Sequence, residues 1–314
     1  MRPPIRPWLL ALLASLLPLS AAADTTAYVV AWNTLYRLDL STARATRIGN
    51  GVGFNDIEGL AFSPDGTLYG IADGTAGTGS AQTDFLIRIN PATGAGTLVG
   101  QFPGLAGQGP NGQLDYGLAF TCDGRLWASS DTTGRFWEID PRNAGVREVG
   151  NTGAPLSDLT ARGNQLFAIG VRTGFGDPQQ QALYSLDPST GIPTRIGSLG
   201  VDDNLSSAGL DFDAQGILWA TLDSQPPDFD RPSRLARIDT ATGKATVVGS
   251  ISGIEDNLSA RAMAISVPGA CDGGGDEDRP NAAPPTLVPG PGTPALVLLG
   301  LLAAWSGSRR LRRA

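Results

Sequence analysis

The sequence predicts an all-β protein, and within that class a five-bladed β-propeller whose first blade is completed by strand 259–267. Three observations predict it. The stretch LYSLDPSTGIPTRIG at 183–197 recurs as LYRLDLSTARATRIG (35–49), LIRINPATGAGTLVG (86–100), FWEIDPRNAGVREVG (136–150) and LARIDTATGKATVVG (235–249). The residues equivalent to Asp187 are Asp39, Asn90, Asp140 and Asp239, at spacings of 51, 50, 47 and 52 residues, which is the period of a propeller blade rather than of a helical repeat. Glycine (42 residues) and proline (23) are abundant and no segment keeps a long helical period, so turns and short strands dominate.

Each unit holds two strand pairs. The repeated stretch is the outer pair. The inner pair is an apolar strand, a turn and a strand opening on Leu-aromatic: GLAFSPDGTLYGIAD (59–73), GLAFTCDGRLWASSD (117–131), DLTARGNQLFAIGV (158–171) and GLDFDAQGILWATLD (209–223). The first unit starts at Tyr28, already at its second strand, and the last segment, SARAMAISV (259–267), reads as an innermost strand with nothing after it. Joining the two closes the ring and removes the free sheet edges. The expected blades are 28–49 with 259–267, then 57–100, 114–150, 157–200 and 206–250. Tyr69, Trp127, Phe167 and Trp219 share one second-strand position, which marks them as packing between blades rather than a carbohydrate platform. Asp65 and Asp123 are turn residues, and so is the Asp-Pro-x-Thr-Gly element at 187–191.

Composition removes several function classes. There is no histidine, so Ser-His and Cys-His catalysis and the usual zinc and copper sites are excluded. Lys244 is the single lysine, which leaves little room for Schiff-base chemistry. The formal charge is −7, but six of the 23 basic residues are arginines near the two termini, leaving 17 basic residues against all 30 acids in between. Nucleic acid would need a basic stripe, and there is none. Metal cations or neutral polymers suit this charge better.

Both ends read as addresses. Residues 1–23 have a basic start (Arg2, Arg6), an apolar run from Trp8 to Leu19 and Ala21-Ala22-Ala23, the layout of a cleavable secretory signal peptide. Residues 24–267 are the propeller and 268–287 a flexible Gly/Pro/Asp linker. Residues 288–314 carry Pro289-Gly290-Pro291, an apolar run from Pro294 to Trp305, and an arginine cluster that includes Arg309 and Arg310. This tripartite tail resembles the bacterial PEP-CTERM sorting signal, with Gly290 standing where that family has Glu. The resemblance implies export, a transient or permanent C-terminal membrane anchor, and the export and sorting machinery as partners. The arginines would keep the C-terminus in the cytoplasm and the propeller outside, at the cell envelope, on the surface or extracellular.

The inter-blade loops and the loops joining second to third strands share one face. With the strand ends beside them they hold half of the acids, so this face is expected to be an acidic mouth able to take a hard cation such as Ca²⁺. The candidate metal ligands are Asp56, Glu58, Asp203 and Asp256. Asp203-Asn204-Leu205-Ser206 and Asp256-Asn257-Leu258-Ser259 repeat one word, which also fits turn capping. Glu58 breaks the repeat, because its counterparts are Tyr116, Ser157, Ala208 and Arg261; an ion pair with Arg261 is preferred over a metal role. Cys122 and Cys271, the two cysteines, each follow an innermost strand and so share a face with each other, where a disulfide could cross the channel mouth; two free thiols is the alternative.

Segment 57–73, IEGLAFSPDGTLYGIAD, resembles the inner-strand repeat of gluconolactonase-like and related lactonase or phytase-like propellers. That resemblance implies a metal-ligating Glu just before Gly, here Glu58. The preferred expectation is a non-catalytic exported module that binds a glycan, matrix polymer or protein through its acidic loop face. The alternative is a carboxylate-dependent hydrolase, Ca-assisted or not, of the glycosidase or lactonase kind, using Glu58, Asp115 and Asp158.

Overall fold

In the computed structural model the described residues are 25–75, 84–105, 114–172, 177–202, 204–224, 231–255, 258–267 and 271. All belong to the first of two units, Met1–Gly274. The leader, most of the linker, the tail with Pro289, Gly290, Pro291, Arg309 and Arg310, and the candidates Asp203 and Asp256 lie outside the described residues.

Five four-stranded antiparallel sheets form the five blades. The first contains β1 (Thr26–Ala31), β2 (Thr34–Asp39) and β3 (Arg44–Ile48). The second is β4 (Phe54–Phe62), β5 (Leu68–Thr75), β6 (Phe85–Ile89) and β7 (Gly96–Gln101). The third is β8 (Tyr116–Phe120), β9 (Leu126–Ser130), β10 (Arg135–Asp140) and β11 (Gly145–Asn151). The fourth is β12 (Leu156–Arg162), β13 (Gln165–Gly170), β14 (Ala182–Leu186) and β15 (Pro193–Ser198). The fifth is β16 (Leu205–Phe212), β17 (Leu218–Ser224), β18 (Arg234–Ile238) and β19 (Ala245–Ser250). The last strand, β20 (Ala262–Ser266), pairs with β1 in register Thr26↔Ser266 through Val30↔Ala262 and closes the ring.

Five apolar clusters fill the gaps between blades. Tyr69, Trp127, Phe167 and Trp219 each sit in a different one, against the next blade, and all are buried. Each is a large apolar payload placed at one repeat position, which is why the position repeats. The inner strands approach closely around the axis. A Cβ on Gly59 would meet Leu118 Cβ at 2.7 Å, and one on Gly117 would meet Asp158 Cα at 2.5 Å, so the glycine of the repeated Gly-Leu is required by the neighbouring strand.

The outer Asx turns repeat in detail. Oδ1 of Asp39 accepts the amide N–H of Ser41 (2.8 Å) and Thr42 (3.2 Å), and Oδ1 of Asp187 accepts that of Ser189 (2.8 Å). At the opposite edge of each blade, the turn after the inner strand closes the far end of the channel. There Cys122 and Cys271 form a disulfide with a Cα–Cα distance of 5.2 Å, beside a cavity of about 520 Å³. It closes a loop of 149 residues, which on the chain-entropy account contributes about 5 kcal/mol to stability.

Candidate functional site

The site lies at the loop-side mouth, where inner strands begin and second strands end. β4 enters it through an irregularity. The β4–β5 register shifts between Ile57 and Leu60, and Asp56 has a left-handed backbone, φ 45°. A bulge of this kind re-aims side chains at a sheet edge. Here it delivers Asp56 and Glu58, and the end of β5 delivers Asp73. One ligand oxygen from each lies within 4.8 Å of the others.

These carboxylates differ in how they are satisfied. Asp56 Oδ1 accepts a hydrogen bond from Arg261 Nη1 at 3.0 Å. The expected Glu58–Arg261 pair is therefore corrected: Arg261 pairs with Asp56. Oε2 of Glu58 instead takes the amide N–H of Tyr116 on the next blade at 2.9 Å. The reason is direction. Glu58 points across the blade gap toward β8, while the bulge turns Asp56 toward Arg261 just ahead of β20. The other oxygen, Glu58 Oε1, is buried with no N–H or O–H donor, and so is Oδ1 of Asp73. Glu58 is 5% exposed and Asp73 1%.

Burial without donors sets the electrostatics. The Glu58 carboxyl is pushed well above the ordinary range by burial, then by the charges of Asp115 and Asp73. Asp73 is pushed up to about 8 by burial, then by Asp84 and Asp56. Burial also raises Asp56, against the pull of Arg261. The Asp115 side chain stands within side-chain contact of the Glu58 carboxyl. Around this group, Asp84 accepts the Tyr116 hydroxyl, Asp131 sits beside Thr132, and Asp223 accepts the hydroxyls of Ser206 and Ser233 at 3.2 Å each. Arg261 feels Asp56, Glu58, Asp115 and Asp223 together. A pocket of buried carboxylates with one arginine must either take up protons or hold a cation. Carboxylate oxygens alone, converging from one blade, are the donor set of a hard divalent ion such as Ca²⁺.

Of the residues singled out in the sequence, Asp56, Glu58 and Asp115 meet at this mouth. Asp158 does not join them. It is buried on β12, where Oδ1 accepts the amide N–H of Leu118 (3.2 Å) and Leu159 (2.9 Å) and Oδ2 that of Leu210 (2.8 Å). It ties together the inner strands of three blades. Asp73 is the member of the acidic group that the sequence did not single out. Its signal was available: Asp73, Asp131 and Asp223 close the same second-strand segment in three blades.

No curated protein matches the chain by sequence. Among solved structures, a protein of unknown function from Bacteroides caccae has 11% identity and a TM-score of 0.49, covering 77% of this chain and 99% of that one. TolB from Acinetobacter baumannii has 16% identity and a TM-score of 0.43, covering 78% and 67%. A chain of the nidogen/laminin complex has 13% identity and a TM-score of 0.45, covering 77% and 98%. Within this propeller, residues 59–214, from β4 to just past β16, match the family described as a repeat of unknown function (DUF6923).

Proposed function

We propose that the protein is an exported binding propeller that holds a divalent cation of the Ca²⁺ kind at its loop-side mouth through Asp56, Glu58 and Asp73, and meets a surface partner there. The observation that carries this reading is the pair of buried oxygens without donors, Glu58 Oε1 and Asp73 Oδ1, inside a three-carboxylate group spanning no more than 4.8 Å. A cation satisfies both oxygens at once, and neutral donors do not reach them. Export is supported by the leader-like residues 1–23, the PEP-CTERM-like residues 288–314 and the Cys122–Cys271 disulfide, a bond that persists in oxidising compartments. Among the described residues no helix is long and apolar enough to cross a membrane. Terbium luminescence and calcium calorimetry on the purified protein test the cation site: binding lost in Asp73→Asn supports it, and no binding by the wild type overturns it. Fractionation of cells expressing the full chain tests its export.

A second reading rests on the contact between Glu58 and Asp115. Two carboxyls in contact are the minimal acid–base set of a glycoside hydrolase. Release of reducing ends from a polysaccharide, abolished in both Glu58→Gln and Asp115→Asn, would favour this reading over a purely binding role.

A further inference from the structure

The two-residue turn between β1 and β2 carries a feature that the repeat does not explain. Ala31 pairs with Thr34, so Trp32 and Asn33 alone link the strands, and Trp32 has φ 56°. A hairpin of this length with a left-handed first residue ordinarily places glycine there, because a bulky side chain is strained in that region. The two left-handed alanines, Ala43 and Ala144, are explained by the repeat, since they stand where Gly94, Gly191 and Gly243 stand in the other outer turns. Trp32 has no such counterpart. It is also the one aromatic among the exposed large hydrophobic residues of the described chain, whereas Trp127, Trp137 and Trp219 are buried.

Its position is at the mouth. The Trp32 carbonyl accepts the amide N–H of Ile57, the residue between Asp56 and Glu58, at 2.9 Å. The Val30 carbonyl, two residues earlier, accepts the amide N–H of Arg261 at 3.2 Å. The turn's backbone thus lies against both partners of the Asp56–Arg261 pair, and the strained position carries an exposed indole at the same mouth.

We infer that Trp32 is a stacking platform for a sugar ring of a neutral polysaccharide, whose vicinal hydroxyls reach the cation at Asp56, Glu58 and Asp73. The ligand class follows from the chemistry of the two halves. An indole face, negative above and below its plane, attracts the slightly positive C–H face of a pyranose or furanose ring. A hard cation ligated by carboxylates keeps positions open for hydroxyl oxygens. The surplus of carboxylates around the mouth repels uronates and other anionic polymers, which selects a neutral one. This inference rests on the cation reading above, and its test separates the two.

The full chain, Trp32→Gly and Trp32→Tyr are run through affinity gels containing arabinan, galactomannan, amylopectin or polygalacturonate, each with calcium or with EDTA, and terbium luminescence is read on the same samples. Glycine suits the left-handed position, so Trp32→Gly is expected to fold at least as stably as the wild type. The expected result is retardation of the wild type by at least one neutral polymer in calcium, an affinity about tenfold weaker in Trp32→Gly, most of it retained in Trp32→Tyr, and unchanged terbium binding in both variants. Retardation by none of the neutral polymers, by polygalacturonate alone, or equally by wild type and Trp32→Gly overturns the inference. Trp32-dependent retardation without terbium binding would support the platform and sink the cation reading alone.

Discussion

Glu58 and Asp158 are buried carboxylates one repeat position apart on inner strands of the same ring, and they are satisfied in opposite ways. Asp158 accepts three amide N–H groups, from Leu118, Leu159 and Leu210. Glu58 accepts one, from Tyr116, and its second oxygen has no donor. The first is a fastener: inner strands present free N–H groups to the channel, and a carboxylate between blades accepts them. The second is an acceptor without a partner, among other acids. The exposed turn aspartates form a third group. Asp39 is held down at about 2 by the Ser41 hydroxyl and neighbouring amides. What separates the fastener from the mouth carboxylates in this acidic chain is the supply of donors, not burial or charge alone.

The largest effect should come from the fastener. Asp158→Ala leaves three buried N–H groups without an acceptor and is expected to cost about 4 kcal/mol, lowering the melting temperature by about 10 °C with or without calcium. An unchanged melting temperature would erase the distinction between the two sites.

Calcium comes next. At about a hundredfold excess over Kd it should add about 3 kcal/mol, a rise of roughly 5–10 °C in calorimetry. The double variant Glu58→Gln/Asp73→Asn should lose that rise. Without calcium, at pH 8, it should be more stable than the wild type by about 1–3 kcal/mol, because two buried carboxyls that each keep an oxygen without a donor have gone. Destabilisation of the cation-free double variant would show that the mouth carboxylates are fasteners too.

The pH profile has two limbs. Folding raises Asp211 to about 6, mainly by burial, and Asp73 to about 8, also mainly by burial. Groups raised on folding stabilise below their unfolded values, and that contribution is lost as pH rises through the folded ones. Cation-free protein should therefore lose stability between about pH 4 and pH 8, and calcium should flatten the part above pH 6. Glu138, lowered to about 2 by Arg125 and then Arg147, works in the opposite direction: its contribution is present above the ordinary carboxylate range and is lost as pH falls toward 2. Melting curves across this range, with EDTA and with calcium, separate the limbs. The smallest change is expected from an outer turn. Asp187→Ala should lower the melting temperature by about 1–2 °C, equally in calcium and EDTA.

Much of the fold was legible because a repeat states its own period. The five blades, the closure by 259–267 and the packing role of Tyr69, Trp127, Phe167 and Trp219 all follow from residues that recur in register. The site was legible in part. Glu58 was noticed because it breaks the repeat, and Asp56 and Asp115 because they lie on the acidic face. Its pairing was misassigned, since alternation places Glu58 and Arg261 on neighbouring strands but does not reveal the bulge that turns Asp56 toward Arg261 instead. Asp73 was hidden by recurring as Asp131 and Asp223, and Trp32 because a single aromatic in a short turn has no periodic context.

The sequence alone determined the class of fold, the number of blades, how the ring closes and the sign of the charge on the loop face, because each depends on periodic pattern or composition. The tertiary structure alone decided which carboxylates keep an oxygen without a donor, that Asp158 is consumed by three backbone amides, and that Trp32 lies beside Ile57 at the mouth. Those facts depend on which N–H groups end up within about 3 Å of which oxygens. That proximity is set by inter-blade packing and by one bulge in β4, neither of which is written in the spacing of residues along the chain.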